Sequence, residues 1–206
     1  MTRRIASDQT SRPGAVRRYG PMVGEPPLFV DPRRWGSLIG LIGGLVFIGS
    51  YSPTLGLAFS IIAWVIGLAL VLTALAAHYM WPVALGPMER PRAAALATYG
   101  GCVVGELVLI ALGSRALTAT GHGDLRPALI AVAVGVHFIP FAWAFGERMF
   151  YWLGGFVAVL GAIGLIAGFA GAAHAAEAMA VAAGLVMLLL ITLYARGKFV
   201  DHPSVT

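Results

Sequence analysis

Charged side chains and cysteine are both scarce in this sequence. Asp, Glu, Lys and Arg make up only 11% of the 206 residues, whereas 59% are hydrophobic, and the mean hydropathy is +0.84. A soluble domain carries about 25% charged residues, because its surface faces water on every side. The composition therefore excludes a soluble globular fold and predicts an integral membrane protein. The single cysteine, Cys102, excludes an intramolecular disulfide and provides no metal-binding or redox motif.

The sequence also lacks the motifs of common enzyme classes. It contains no G-x-S-x-G elbow, no glycine-rich phosphate loop followed by lysine and no H-E-x-x-H. His122 and Asp124 fall in one predicted loop, but metal sites use three or four protein ligands, so no metal is expected. His78 and His137 are predicted at different depths, so haem is not expected and the sequence predicts no cofactor. No motif supports an enzyme.

Six apolar segments follow a basic N-terminal region. Residues 1–34 contain half of the fourteen Lys and Arg residues and no apolar run, which predicts a disordered cytoplasmic tail. A transmembrane domain over 35–196 and a short cytoplasmic tail over 197–206 complete the predicted organisation. The apolar segments approach the ~20 residues with which a helix crosses ~30 Å of hydrocarbon, and they lack the alternation of β-barrel strands. The predicted fold is an all-α bundle of six transmembrane helices, at residues 35–51, 54–80, 93–113, 126–146, 149–171 and 174–195.

The distribution of basic residues predicts how these helices are oriented. Lys and Arg concentrate in the cytoplasmic segments of membrane proteins. If the N-terminal region is cytoplasmic, twelve of the fourteen Lys and Arg residues lie inside, and only Arg115 and Arg126 lie outside. Both termini are therefore predicted to be cytoplasmic. The net charge of +5 then reflects topology and contact with anionic lipid headgroups, and no nucleic-acid partner is expected.

A short motif in the fourth apolar segment resembles known proteins. It has the form G-x-H-F-x-P-x-A, and an aromatic-rich start of the fifth segment follows it; its residues are Gly135, His137, Phe138, Pro140 and Ala142. The element resembles one in small multi-pass bacterial proteins of unassigned function, and the resemblance covers about residues 93–170. It implies a helical membrane fold in the bacterial inner membrane. It implies no mechanism and no catalytic residues.

Two ionisable residues are predicted deep inside the membrane. At a helical rise of about 1.5 Å per residue, Glu106 lies roughly 20 Å from the cytoplasmic end of the third helix, and His137 lies roughly 14 Å from that of the fourth. A short loop joins these helices as antiparallel neighbours, so the side chains differ in depth by about one helical turn. An ionisable group at such depth costs a few kcal/mol without a partner. The sequence therefore predicts that they form a buried polar pair, directly or through one water.

This pair has two interpretations. A carboxylate beside an imidazole can share or pass a proton, or the pair can simply hold two helices together. Pro140 is a further candidate at this site, because it lacks a backbone N–H and is expected to kink the helix and free the carbonyl of Val136. The weaker candidates are His78, predicted at the interface near the inner end of the second helix, and Glu177, near an outer loop.

Glycine-rich helix faces leave a second function open. Several pairs among the 27 glycines have the spacing with which membrane helices pack closely, and three of them are Gly40–Gly44, Gly101–Gly105 and Gly164–Gly168. One function is a small permease or channel that uses Glu106 and His137. The alternative is a non-catalytic accessory or assembly subunit, which would form a homo-oligomer or bind another membrane protein through such a face. A water-accessible cavity at Glu106 would favour the permease, and a dry pair beside a flat small-residue face would favour the subunit.

Overall fold

A computed structural model describes residues 26–83, 85 and 93–199, and this part of the chain is helical without strands. Six of its helices are long and apolar enough to cross a membrane, which confirms the number predicted from the sequence. A short 3-10 helix follows α1, a π-helical turn over Ala76–Met80 ends α2, and another 3-10 turn precedes α4. The helices are α1 (Pro32–Tyr51), α2 (Leu57–Leu75), α3 (Ala93–Ala119), α4 (Arg126–Phe145), α5 (Met149–Phe169) and α6 (Ala175–Ala195).

The first helix begins earlier than the sequence predicted. The Asp31 carboxylate accepts a hydrogen bond from the backbone N–H of Arg33 at 2.9 Å, and Pro32 occupies the first helical position, where its missing N–H costs nothing. Arg33 and Arg34 therefore belong to α1, and their assignment to the disordered tail is wrong. Residues 1–25 of the predicted N-terminal tail and residues 200–206 of the predicted C-terminal tail lie outside the described residues.

The third helix continues six residues beyond its predicted end. The apolar run stops before Ser114 and Arg115, but α3 extends to Ala119. Polar side chains in its last turns reach water or lipid headgroups at the membrane surface, so they shorten the apolar run without ending the helix. The turn that follows contains Gly121 at φ 79°, and Gly146 ends α4 at φ 66°, conformations that glycine adopts without a Cβ penalty.

The last helix occupies the centre of the bundle. α6 contacts α1, α2, α4 and α5, and 61% of its most apolar stretch is buried, against 6% for α3. α3 packs against α4 and the short turn before it. The bundle is therefore built around α6, and α3 forms its outer edge.

Two of the three glycine pairs serve this internal packing. Gly40 and Gly44 of α1 lie against Ile191 and Leu188 of α6, and the Gly164–Gly168 pair of α5 is likewise covered from neighbouring elements. A Cβ added at Gly101 or at Gly105 of α3 would meet nothing within 4 Å. The Gly101–Gly105 face is thus left open at the edge of the bundle.

Candidate functional site

Glu106 and His137 meet where α3 packs against α4. The Nδ1 atom of His137 lies 3.1 Å from Oε2 of Glu106, and the two side chains are 12% and 16% exposed, respectively. The carboxylate oxygen lies within ion-pair distance but outside the direction that a hydrogen bond to Nδ1 requires. The pair is thus sheltered, with a small opening to the surface, and carries an ionic attraction when His137 is protonated.

Aromatic rings surround the imidazole of His137. The ring of Phe138 stacks on it at a centroid distance of 4.3 Å, and Phe141 meets it edge-on at 5.0 Å. Tyr99 of α3 stacks on Phe141 at 5.1 Å, and Phe150 of α5 stacks on Phe138 at 5.9 Å. These contacts fix the orientation of the imidazole and separate the pair from the nearer end of α4 with an apolar layer.

Pro140 lies inside α4, which continues beyond it to Phe145. Since proline has no backbone N–H, the carbonyl of Val136 loses the donor that residue 140 would otherwise provide. This carbonyl belongs to the residue just before His137. The site therefore combines a carboxylate, an imidazole and a backbone carbonyl without its usual helical partner.

A second group of polar residues, which we call the α1 polar cluster, consists of Asp31, Arg33, Arg34 and His78. The Arg34 guanidinium donates from Nη1 to the carbonyl of His78 at 2.7 Å, and the same nitrogen lies 3.2 Å from Nδ1 of His78. Its Nη2 donates to the carbonyl of Val83 at 3.2 Å. His78 is 0% exposed, because the π-helical turn at the end of α2 places its ring inside the bundle, against Arg34. Its position at the level of the membrane interface stays a prediction.

Charge balance in the α1 polar cluster comes from Asp31. Its Oδ2 accepts from Nη2 of Arg33 at 3.0 Å and lies 4.0 Å from Nε of Arg34. Neither Nε of Arg34 nor Nε2 of His78 has a hydrogen-bond partner among the described residues. One carboxylate thus serves two arginines. Asp31 and Arg34 are almost fully buried, so the loss of a partner there costs more than at the surface.

Glu147 lies between the membrane-spanning parts of α4 and α5, close to the α1 polar cluster. The hydroxyl of Tyr194 donates to Oε1 of Glu147 at 3.2 Å. Burial raises the pKa of Glu147 above its ordinary value, and the Tyr194 hydrogen bond and the positive charge of Arg33 oppose that rise. Glu147 therefore holds its proton more readily than an exposed glutamate.

The remaining sequence candidates do not join either group. Glu177 lies in the first turn of α6 without a hydrogen bond or ion pair to other described residues. His122 contacts Phe169 at a ring distance of 5.0 Å, and Asp124 is exposed in the short turn before α4. Within residues 26–83, 85 and 93–199, no three His, Cys, Asp or Glu side chains come together to hold a metal ion.

Sequence reasoning missed the role of Asp31, Arg34, Glu147 and Tyr194. The sequence did contain a signal for Asp31, because Asp-Pro directly before an apolar run is typical of a helix N-terminus. This Asp-Pro signal would have placed the start of the helix at Pro32. It would also have put Arg34 inside the membrane-spanning helix. No comparable pattern links Tyr194 to Glu147, because that contact depends on the packing of α6 against the α4–α5 turn.

These features define a multi-pass helical membrane protein in which a carboxylate–imidazole pair joins two of the membrane-spanning helices. Residues 100–196 match the model of a family of unknown function (DUF7010), so the chain is similar to that family from within α3 to the end of α6. The match includes Glu106 and His137 and excludes the α1 polar cluster. No curated protein and no solved structure matches the chain significantly.

Proposed function

We propose that the protein is a small permease of the bacterial inner membrane that passes protons at Glu106 and His137. The observation that carries the proposal is the 3.1 Å contact between their side chains within the apolar parts of α3 and α4. Ionisable groups at such depth are costly, and in membrane proteins they mark proton and ion pathways. A carboxylate and an imidazole this close can each take up a proton and pass it to the other through one bridging water.

A second protonatable group supports a pathway along α4. Glu147 lies two residues beyond Phe145, the last residue of α4, which is eight residues or roughly 12 Å along the helix from His137, and Glu147 contacts Tyr194. Phe138 and Phe141 follow His137 on α4 and precede Glu147 in the chain. In this proposal, with both termini cytoplasmic, Glu147 exchanges protons on the cytoplasmic side of the site.

Proton flux in liposomes tests the proposal. The purified protein is reconstituted with a pH-sensitive dye inside, and a potassium diffusion potential, negative inside, drives protons inward. We expect liposomes with the wild-type protein to acidify internally faster than empty liposomes. Liposomes with Glu106→Gln should acidify no faster than empty ones. The control Asp124→Asn, which changes an exposed loop carboxylate, should give wild-type flux. Wild-type flux equal to that of empty liposomes would overturn the proposal, and so would unchanged flux in Glu106→Gln.

A specific observation also favours the alternative function, an accessory or assembly subunit. α3 is 6% buried over its most apolar stretch, and Gly101 and Gly105 present a face without neighbours within 4 Å. Small residues let membrane helices approach closely, so this face fits a helix of another membrane protein or of a second copy of the chain.

Cross-linking at Cys102 tests the alternative, because this native cysteine lies on α3 beside Gly101. Membranes are treated with a thiol-to-amine cross-linker, and the adducts are compared with those of Cys102→Ser. An adduct of defined mass that Gly101→Leu abolishes supports the subunit. If wild type and Cys102→Ser give the same adducts, the subunit function loses its support from α3.

A further inference from the structure

Two arginines line one groove at the end of the seam between α3 and α4. The groove has a volume of about 360 Å³ and is bounded by Ser114, Arg115, Thr118, Ala119 and Arg126. Arg115 and Arg126 are also the two basic residues that the positive-inside count leaves on the outer side. They come from different helices, so their convergence arises from the fold.

The charges in this groove are unbalanced. Neither Arg115 nor Arg126 has a carboxylate within 4.0 Å in the part of the chain that the structure describes. Arg126 donates from Nη2 to the hydroxyl of Thr118, and Thr118 donates to the carbonyl of Ser114 at 2.7 Å. This chain of hydrogen bonds holds Arg126 in place and leaves its other guanidinium N–H groups available, together with all those of Arg115.

The position of the groove selects the type of anion. It lies at the C-terminal end of α3 and the first residue of α4, the level at which lipid headgroups meet membrane helices. Below it, Leu112 and Val108 expose 59% and 50% of their surfaces on the adjoining face of α3. An acyl chain covers these side chains, whereas a small free anion leaves them bare.

We propose that Arg115 and Arg126 bind the phosphate of an anionic phospholipid, whose acyl chain lies along α3. Arginine suits this role because its planar guanidinium donates two parallel hydrogen bonds to phosphate oxygens. The site is independent of proton transfer at Glu106 and of the direction in which the chain is inserted.

Thermal stabilisation and native mass spectrometry test the site on the full-length protein in a neutral detergent. The probes are phosphatidylglycerol, phosphatidylcholine with the same acyl chains, and glycerol phosphate, which carries the phosphate without chains. The variants are Arg115→Gln, Arg126→Gln and their combination. Arg196→Gln is the matched control, because Arg196 borders the comparable groove of about 500 Å³ beside α2.

We expect phosphatidylglycerol to raise the melting temperature of the wild type more than phosphatidylcholine does, and one bound phosphatidylglycerol to disappear from the spectrum of the double variant. Each basic residue near an anionic surface contributes enough that loss of two lowers the affinity roughly 30-fold. Arg115→Gln alone should lower the affinity for phosphatidylglycerol without unfolding the protein, because the Arg115 side chain makes no hydrogen bond or ion pair with other described residues.

Three results would overturn the proposal. The first is equal stabilisation of the wild type by both lipids, which removes the need for a negative headgroup. The second is equal loss in Arg196→Gln, which reduces the effect to total charge. The third is a rise in melting temperature with glycerol phosphate as large as the rise with phosphatidylglycerol, which would assign the groove to a small soluble anion.

Discussion

Gly44 of α1 and Gly184 of α6 touch through their backbones. A Cβ added at Gly184 would lie 2.7 Å from the carbonyl oxygen of Gly44, and one added at Gly44 would lie 3.0 Å from the carbonyl oxygen of Gly184. The obstruction is backbone on both sides, so a rotamer change cannot relieve it. These two glycines set the distance between the first helix and the centre of the bundle.

Gly184→Ala should therefore destabilise the protein, although alanine favours helices more than glycine does. Overpacking of this kind costs about 1–3 kcal/mol, which would lower the melting temperature in detergent. Gly101→Ala is the matched control, because a Cβ there meets nothing within 4 Å, and it should leave the melting temperature unchanged or slightly raised. Equal melting temperatures for the two variants would contradict the close approach of α1 and α6.

The contact between Glu106 and His137 predicts non-additive effects on stability. His137→Leu should cost more than the double change to His137→Leu with Glu106→Leu, because the single change strands the carboxylate. Glu106→Gln should be mild, since it keeps the shape and polarity of the side chain. Polar contacts between membrane helices couple by roughly 0.6 kcal/mol and up to about 1.7 kcal/mol. Melts of all variants in one detergent measure the coupling, and strictly additive effects would mean that the two side chains do not interact.

The α1 polar cluster predicts that Arg34 is among the least replaceable charges in the chain. Arg34→Met removes the donors to the carbonyls of His78 and Val83 and leaves the Asp31 carboxylate partly uncompensated. Breaking a buried charge pair costs about 3–5 kcal/mol. Arg115→Met, a change of an exposed arginine without an ion pair, should cost less than about 0.5 kcal/mol in the absence of anionic lipid. Similar melting temperatures for both would show that the cluster adds no stability.

Glu147 predicts a pH dependence of stability. Burial raises its pKa from the ordinary 4.5, so at pH values between the two pKa values the folded protein keeps a proton that the unfolded chain has released. The free energy of unfolding then falls as pH rises from near 4.5 through the raised pKa, and it is constant above that. Glu147→Gln keeps a group that can bond to Tyr194 and should abolish this fall, whereas Asp124→Asn should not. An unchanged pH profile in Glu147→Gln would contradict the prediction.

The charge distribution predicts which loops face the cytoplasm. In a Cys102→Ser background, His122→Cys should react with an impermeant thiol reagent applied to intact cells. Lys198→Cys should react only after the membrane is permeabilised. The reverse pattern would invert the orientation and place Arg115 and Arg126 on the cytoplasmic side.

The sequence was sufficient for the number of helices and for the neighbourhood of Glu106 and His137. Helix number follows from the length of apolar runs, because the bilayer fixes how many residues are needed to cross it. The depth of a residue in the membrane follows from the number of residues between it and the end of its apolar run. For Glu106 on α3 and His137 on α4, the depths obtained in this way differ by about one helical turn.

The arrangement of the helices around α6 was beyond sequence reasoning. In a membrane, side chains that face lipid and side chains that face another helix are equally apolar, so the apolar pattern of α3 does not differ from that of a central helix. The burial of His78 was also beyond sequence reasoning, because it depends on the π-helical turn at the end of α2, where the ring lies against Arg34 of α1.

The central position of α6 also constrains how the protein is made. α1 packs chiefly on α6, which is translated after the other five described helices. At roughly 5–20 residues per second, the ribosome needs on the order of 10 s to synthesise the chain between α1 and α6. During that time the faces of α1 and α2 that α6 will cover must be occupied by lipid or by the insertion machinery. A truncated chain that ends before Ala175 therefore leaves the backbone of Gly44 without the cover that Gly184 and Leu188 of α6 provide.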